Sequence, residues 1–499
     1  MPPRQFTIDL PDEAATVALA EDIAAMLAPG DVVALAGGLG AGKTTVARAL
    51  LRALADDPAL EVPSPTFTLV QTYPGGRLPV AHFDLYRLAA PEELDELGFD
   101  DALGEGAALV EWPERGRGRL PAESLDIGLA IAGAGRRATL TATGPIGERI
   151  ARSRAIRAFL DAAGWTGATR RHLQGDASTR IYERVAMAGR SAVLMNWQAR
   201  PEGPPLKDGL SYDAIAHRTR DVGPFMAIDA ALRDAGFSAP EIFAGDPSAG
   251  FLLLEDFGAE GVLRDDGLPD AGRYTAAVEV LAAIHSRFRP AELRSDAGIY
   301  RLPPYDRGAL AIEVELMADW YMPYRGMPLD AAARSDFAAI WTALSARLAA
   351  AEQNWVLRDV HSPNLLWLAE RAGVQRVGLI DFQDALYGPS AYDVASLLQD
   401  ARVTVPAELE ARLRAHYVAL RQAADAAFDA ENFISAYAIA GAQRTTKVLG
   451  IFARLAVQGG KPGYLKHLSR VGEYLQRNLS HPVLSDYRLW YERHLPPQE

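Results

Sequence analysis

The sequence has no cysteine, only five lysines among 499 residues, and no apolar run of roughly 18 residues. The absence of cysteine excludes disulfides, cysteine-ligated zinc, thiol nucleophiles and iron–sulfur clusters. The absence of a long apolar run predicts no membrane span, and acidic residues near the start, Asp9 and Asp12, do not fit a secretory signal. Together these features predict a cytoplasmic protein.

The remaining composition is that of a globular protein whose charge is uneven. Hydrophobic residues make up 49% and charged residues 23%. The net charge is −13, of which residues 1–150 carry −10 and the rest carries −3. A strongly acidic segment binds nucleic acid poorly by itself. We therefore expect any connection of the first part to RNA to run through a protein partner.

The hydrophobic pattern of the first part predicts an α/β domain with a parallel sheet. The predicted helices are 16–28 and 46–55. The predicted strands are 31–37, 66–73, 79–86 and 107–112, followed by an antiparallel hairpin over 125–144. We place the first domain at residues 1–148, with a seam near GPIGER (144–149).

The rest of the chain predicts a two-lobed α+β part. A helix over 150–163 precedes an alternating antiparallel pattern over 171–197, a helix over 225–237 and a strand over 250–258. Beyond residue 270 the pattern is mostly helical, with two strands around 355–382. We place a β-rich lobe at 149–258 and a helical lobe at 259–499.

A glycine-rich motif, GGLGAGKTT (37–45), lies between an apolar strand and a helix. Glycines allow backbone N–H groups to turn towards phosphate oxygens, a lysine reaches the β- and γ-phosphates, and a threonine hydroxyl ligates Mg²⁺. The residues predicted to hold a nucleotide are Gly37, Gly40, Gly42, Lys43, Thr44 and Thr45. The alternative is a glycine-rich turn with no ligand.

Two acidic residues follow apolar strands in this first part. Asp84 ends PVAHFD and Glu111 ends AALVE. Ligands of open α/β sheets collect at the carboxyl ends of parallel strands, so we expect both carboxylates near the nucleotide, in metal-related or water-orienting roles. For each acid alone, a helix cap or a surface charge is an equally good interpretation.

Four strings together resemble a known family: LAGGLGAGKTT, VPSPTFTLV, HFDLYRL and LVEWPE. Over residues 5–145 they resemble TsaE, the small ATPase of bacterial threonylcarbamoyladenosine biosynthesis on tRNA. The resemblance implies an ATPase that works with TsaD and TsaB proteins, which modify adenosine 37, and that meets tRNA only indirectly. The family roles map to Lys43, Thr44, Asp84 and Glu111, with Thr66 as a switch-like residue. Gly38 stands where many relatives have Asp.

A second motif set indicates phosphoryl transfer. In VLRDVHSPN (356–364), Asp359 and Asn364 have the spacing at which an aspartate accepts a hydroxyl proton and an asparagine ligates Mg²⁺. Asp381 follows the apolar strand VGLI, where a second metal ligand is expected. For Asp393 we expect a cap that supports the catalytic loop, and for His361 a structural role. Turn and cap acids without catalysis are the alternative.

This part resembles the aminoglycoside-phosphotransferase and choline-kinase-like superfamily, which has a protein-kinase-like fold. The strings GDASTRIY (175–182) and KVLGIFARL (447–455) are similar to those of AmgK-type kinases, which phosphorylate N-acetylmuramic acid and N-acetylglucosamine at C1 for cell-wall recycling. The resemblance makes Asp359 the base, with Asn364 and Asp381 as metal ligands. It places Ser178 and Thr179 over ATP and Glu255 to Phe257 beside the adenine. Arg444 and Lys447 are candidates for either structure or substrate binding.

One departure from the kinase pattern keeps alternatives open. Kinases of this fold place a lysine on the third strand, where this chain has Met195 and Asn196. Lys207 or Arg180 could compensate. Otherwise the lobe could be a pseudokinase that regulates the ATPase half. Choline, homoserine or an aminoglycoside are alternative acceptors, and the first part could be a nucleotide-gated binding module.

Overall fold

The computed structural model describes residues 3–173, 180–295 and 298–495. The chain packs into two compact units. One contains residues 1–198 and 242–256, and the other contains residues 199–241 and 257–499. The predicted domain boundaries after residues 148 and 258 stay predictions.

The first unit begins with a mixed seven-stranded sheet in the order β1-β7-β6-β2-β5-β4-β3. Its strands are β1 (Arg4–Leu10), β2 (Val32–Ala36), β3 (Val70–Tyr73), β4 (Val80–Asp84), β5 (Ala107–Glu111), β6 (Leu125–Ala132) and β7 (Gly135–Ala142). The central strands β2, β4 and β5 are parallel, mostly apolar and buried along nearly their whole length, because both of their faces are covered. The register of β6 with β7 confirms the predicted antiparallel hairpin.

Five helices accompany this sheet: α1 (Glu13–Met26), α2 (Lys43–Ala55), α3 (Glu93–Glu96), α4 (Phe99–Glu105) and α5 (Gly144–Ala162). One predicted strand start was wrong, and one strand was not predicted. The strand expected from residue 66 begins only at Val70, because residues 66–69 form a turn in which Leu69 has a left-handed backbone. No strand was predicted over residues 4–10, where β1 pairs with β7. Helix α5 runs through the predicted seam.

A second, antiparallel sheet completes the first unit, in the order β13-β14-β10-β9-β8. Its strands are β8 (Thr169–Leu173), β9 (Ile181–Met187), β10 (Arg190–Asn196), β13 (Ile242–Asp246) and β14 (Phe251–Glu255), while β11 (Pro205–Lys207) and β12 (Leu210–Ser211) form a small hairpin in the second unit. Ile156 and Leu160 of α5 pack with Leu194 and Phe251 in one apolar core.

The second unit is mostly helical, as predicted. Its helices are α6 (Tyr212–Ile215), α7 (Gly223–Asp234), α8 (Ala271–His285), α9 (Arg307–Leu316), α10 (Met322–Tyr324), α11 (Ala331–Ala350), α12 (Ala391–Leu398), α13 (Ala407–Ala424), α14 (Ala430–Val457), α15 (Leu468–Leu479) and α16 (Ser485–His494). A π-helical turn, Met317–Tyr321, follows α9. In the described part of the chain, each helix is too short or too polar to cross a bilayer.

Short two-stranded sheets hold the loops of this unit. They pair β15 (Glu292–Ser295) with β16 (Gly298–Arg301), β17 (Gln353–Val356) with β20 (Leu386–Pro389), and β18 (Leu365–Trp367) with β19 (Val377–Leu379). The loop predicted to be catalytic begins directly after β17. The β18–β19 pair returns the chain to Asp381, so the two predicted metal motifs share one small scaffold.

A buried charge cluster joins α1 to the second sheet within the first unit. Asp22 of α1 accepts hydrogen bonds from Arg157 of α5 (2.5 and 3.1 Å) and from Arg170 of β8 (2.8 Å). Arg170 also forms a two-point pair with Glu183 of β9 (2.6 and 2.9 Å). The Arg170 side chain is fully buried, and the charges of Glu183 and Asp22 outweigh the effect of burial and raise its pKa. The seven-stranded part and the second sheet are therefore packed as one body.

Candidate active sites

The glycine-rich motif forms a loop between β2 and α2. Gly37 and Gly42 have φ of 143° and 105°, and a Cβ on Gly37 would come within 2.5 Å of the Leu129 carbonyl, so glycine is required there. Lys43 Nζ donates to the carbonyls of Gly37 (2.8 Å) and Gly38 (3.0 Å). The lysine therefore spans the loop in which a phosphate would lie. Thr45 follows in the first turn of α2.

The two strand-end acids stand side by side, as the parallel arrangement predicts. Asp84 pairs in register with Glu111. Asp84 accepts from the hydroxyls of Ser64 (2.6 Å) and Thr66 (3.0 Å), and Glu111 accepts from the hydroxyl of Thr44 (3.0 Å). The predicted switch residue Thr66 and the predicted metal ligand Thr44 are thus each bonded to one of the two carboxylates.

Two further residues complete this site. His82 Nε2 lies 3.0 Å from Glu111 Oε1, and both side chains are buried. The ammonium of Lys43 lies 3.6 Å above the ring of Trp112, whose backbone is left-handed at φ 59°. Burial lowers the pKa of Lys43, although Glu111 opposes the shift. The sequence motif contained His82, but no separate role was predicted for it.

The second site brings together Asp359, Asn364 and Asp381. The amide of Asn364 donates to the Asp359 carbonyl (2.8 Å), and its Nδ2 lies 3.3 Å from Asp381 Oδ2. Gln383 donates to the other oxygen of Asp381 (3.0 Å). Asp381 itself has a left-handed backbone at φ 63°, a conformation that an ordinary residue holds only when its surroundings impose it. The spacing read from the sequence therefore corresponds to one compact cluster.

Asp393 supports the catalytic loop but does not cap its own helix, so that part of the expectation was wrong. It lies within the first turn of α12, and its carboxylate accepts from the backbone N–H groups of Leu357 (2.6 Å) and Arg358 (2.9 Å). Arg358 has φ 72°, so these bonds hold a left-handed residue directly before Asp359. Burial raises the pKa of Asp393 to about 7, although the two backbone bonds oppose the shift.

His361 lies in the same loop and contacts its backbone. Its Nδ1 lies 2.9 Å from the Asp359 carbonyl, and its Nε2 contacts Arg402. An imidazole that donates from Nδ1 and accepts at Nε2 is neutral. Burial lowers the pKa of His361, and Arg402 adds to the shift while Asp400 opposes it. These contacts fit the predicted structural role.

Nearby cations affect the ionisation of Asp359. Burial alone would raise its pKa, but the charges of Lys447, Arg358 and Arg218 outweigh burial and lower it. Lys447 Nζ donates to Glu313 (2.8 Å) and to the Tyr392 hydroxyl (3.2 Å). Arg444, one helical turn earlier on α14, is buried and donates to the Gln399 carbonyl at 3.4 Å. The two candidates from α14 thus have different surroundings.

The predicted nucleotide contacts of the kinase part are only partly described. Ser178 and Thr179 lie outside the described residues. Glu255 ends β14. Phe257 is buried, with its ring against Gly378. A role beside adenine stays a prediction for both Glu255 and Phe257.

The positions weighed for the absent lysine have other partners. Met195 is buried in β10, and Asn196 accepts from Arg152 of α5 (2.7 and 3.0 Å). Lys207 pairs with Glu315 of α9 (3.2 Å) in an exposed position. The guanidinium of Arg180 lies 5.2 Å from the centre of the Trp197 ring. What replaces the lysine stays open.

The donor chemistry of both sites fits Mg²⁺. Mg²⁺ prefers hard oxygen ligands and usually binds through one or two carboxylates together with phosphate oxygens. In the second site the Asp381 carboxylate and the Asn364 amide are neighbours. In the first site the Thr44 hydroxyl donates to Glu111, and Asp84 is the in-register neighbour of Glu111. These residues could hold the ion together with a nucleotide.

Sequence reasoning missed Glu313, Asp400 and Asp384, which hold the second site in place. Asp400 accepts from Ser362 (2.6 and 2.8 Å), and Asp384 accepts from Thr219 (2.7 Å). For Glu313 a signal was available, since it is the one acid on the helical face formed by Leu310, Val314 and Met317. An acid on an apolar face predicts a buried charge that needs partners.

Comparisons with known proteins match both parts of the chain. Residues 10–138 match the family model "Threonylcarbamoyl adenosine biosynthesis protein TsaE", and residues 169–428, over half of the chain, match "Phosphotransferase enzyme family". A TsaE protein of Bacillus subtilis is 42% identical over 131 residues, which are 26% of this chain and 80% of the relative.

Two kinases are similar to the rest of the chain. An N-acetylmuramate/N-acetylglucosamine kinase of Caulobacter vibrioides is 36% identical over 356 residues, 69% of this chain and 97% of the relative. A kinase of the same name from Pseudomonas putida is 35% identical over 308 residues, 60% of this chain and 80% of the relative. The chain therefore belongs to the phosphotransferase enzyme family, and its N-terminal part belongs to the TsaE family.

Proposed function

We propose that the C-terminal part transfers a phosphoryl group from ATP to the C1 hydroxyl of N-acetylmuramate or N-acetylglucosamine, for peptidoglycan recycling. The observation that carries this proposal is the cluster of Asp359, Asn364 and Asp381, in which the Asn364 amide contacts both the Asp359 backbone carbonyl and the Asp381 carboxylate. The names of the Caulobacter and Pseudomonas relatives support these sugars as acceptors.

In this reaction Asp359 accepts the proton of the sugar hydroxyl as that oxygen attacks the γ-phosphorus. The base must be ionised, and the charges of Lys447 and Arg358 favour its ionised form. Asn364 and Asp381 would hold Mg²⁺, which when bound neutralises charge on the phosphoryl oxygens. The chain's main contribution is positioning, because phosphoryl transfer requires little covalent chemistry from the protein.

For the N-terminal part we propose an ATPase that supports threonylcarbamoyl modification of tRNA at position 37, with TsaB- and TsaD-type partners. Lys43 would hold the phosphates, Thr44 and Asp84 would hold Mg²⁺, and Glu111 would orient the attacking water. The charge of −10 over residues 1–150 supports an indirect contact with tRNA. Both proposed activities belong in the cytoplasm, where ATP and tRNA are found.

The kinase proposal is tested by phosphorus and proton NMR of the whole protein with Mg·ATP and N-acetylmuramate. We expect an α-linked 1-phosphate from the wild type and none from Asp359→Asn, which keeps the shape of the side chain. Phosphate on choline, homoserine or an aminoglycoside instead would reassign the acceptor. ATP binding without transfer to any acceptor would favour a pseudokinase.

The ATPase proposal is tested by phosphate release with and without a TsaB–TsaD pair, in the wild type and in Lys43→Ala. Asp359→Asn is the background for both proteins, so that the second site contributes no turnover. Release that needs Lys43 and rises with the partners supports the proposal. Nucleotide-dependent partner binding without release would make this part a nucleotide-gated binding module.

A further inference from the structure

Glu313 of α9 is fully buried beside the proposed base, and both of its oxygens are used. Oε1 accepts from Arg358 Nη2 (2.5 Å) and from Lys447 Nζ (2.8 Å). Oε2 accepts from the Tyr305 hydroxyl (2.5 Å) and from the Gln443 amide (2.9 Å). One carboxylate therefore binds the residue directly before Asp359 and the lysine whose charge acts on Asp359.

The cluster of Glu313, Arg358 and Lys447 has a net positive charge. Glu313 brings one negative charge, while Arg358 and Lys447 bring two positive charges, so one positive charge remains close to Asp359. The two cations lower the pKa of Glu313 against the effect of burial. A buried carboxylate needs hydrogen-bond partners for both of its oxygens, and the four bonds to Glu313 supply them.

Arg358 connects Glu313 to Asp359, because its guanidinium bonds to Glu313 and its backbone directly precedes Asp359. Its left-handed backbone is held by Asp393 through the main chain and by Glu313 through the guanidinium. A left-handed residue of this kind costs free energy and persists only where its surroundings determine it. If the guanidinium lost its bond to Glu313, only the backbone bond to Asp393 would still hold this residue directly before Asp359.

We propose that Glu313 is a positioning residue of the kinase, which holds Arg358 and Lys447 and thereby fixes the backbone directly before Asp359. The proposal rests on the proposed phosphotransfer by Asp359. Glu313 acts through other side chains and does not need to touch the substrate.

The test is a double-mutant cycle of Glu313→Gln and Lys447→Met in the whole protein. The initial rate of sugar phosphate formation is measured across ATP concentrations. Alone, Glu313→Gln should lower kcat roughly 30-fold, an effect within the usual range for residues that position a catalytic group, with the KM for ATP nearly unchanged. Alone, Lys447→Met should lower kcat less than Glu313→Gln does, because Glu313 still holds Arg358 in that variant.

In the Lys447→Met background, Glu313→Gln should lower kcat by less than about fivefold, because one of its two targets is already gone. Asp319→Asn is the matched control, since Asp319 follows α9 in an exposed pair with Arg334 and should leave kcat unchanged. Equal losses in both backgrounds, or a Glu313→Gln variant in which the KM for ATP rises while kcat is unchanged, would overturn the proposal.

A second readout needs no turnover. Hydrogen exchange of the Arg358 backbone amide, which bonds to Asp393, is measured in the whole protein. Glu313→Gln should speed this exchange and Asp319→Asn should not, and equal exchange rates would refute the proposal. If the wild type forms no sugar phosphate, the proposed function fails, whereas the exchange rates still decide whether Glu313 holds this backbone.

Discussion

The buried cluster around Asp22 provides the sharpest prediction for stability. In Asp22→Asn the shape of the side chain is kept, but the charge that pairs Arg157 and Arg170 is removed. Arg170 retains its two-point pair with Glu183, whereas Arg157 retains only the Ala168 carbonyl at 2.7 Å. The loss therefore falls mainly on one buried guanidinium.

Breaking a buried pair by removal of one partner costs about 3–5 kcal/mol. Since Arg170 remains paired, we expect the free energy of unfolding to fall by about 3 kcal/mol, at the lower end of this range. For a unit of this size each kcal/mol corresponds to roughly 2–4 °C in Tm, so the first unit should melt roughly 6–12 °C lower. Because the second sheet is in the same packed body, heat inactivation of phosphotransfer should shift by a similar amount.

The assay is thermal unfolding followed by calorimetry, with residual phosphotransfer after heating. Glu148→Gln is the control, because its pair with Arg4 is exposed and worth less than about 1 kcal/mol. Arg157→Met added to Asp22→Asn should recover part of the loss, since it removes the unpaired charge. An Asp22→Asn protein that melts like Glu148→Gln would refute the reasoning, as would an inactivation temperature that does not move.

Three further predictions concern the two sites. Glu111→Gln should lower phosphate release by the N-terminal part about 100-fold while a fluorescent ATP analogue still binds, whereas Lys43→Ala should lose the binding as well. Arg444→Met should lower kcat/KM for N-acetylmuramate more than for N-acetylglucosamine, because only the former has a carboxylate for a buried guanidinium; equal losses would assign Arg444 to structure. The pKa of Asp393, raised by burial to about 7, means that the folded protein binds this proton and the unfolded chain releases it, so folding stability falls as pH rises from about 4 to 7. Urea unfolding across that range should show a smaller decline in Asp393→Asn, and equal slopes would contradict the assignment.

Local motifs determined much of the architecture, because each is contained in a short stretch with its own chemistry. The glycine-rich loop needs only residues 37–45, and the catalytic loop needs only residues 356–364. The β6–β7 hairpin and the parallel edge shared by Asp84 and Glu111 also follow from local hydrophobic patterns. The edge strand β1 escaped prediction, because its register depends on β7, more than 120 residues later.

The sequence by itself determined the order of the two family segments and predicted a phosphate-binding site in each, since motif and element order can be read from neighbouring residues. Only the tertiary structure decided what holds these sites. Glu313 lies 45 residues from Arg358 and 134 from Lys447, and Asp22 lies 148 residues from Arg170. Contacts over such separations leave no periodic trace in the sequence. They arise because a buried charge must find its partners wherever the packed chain brings them.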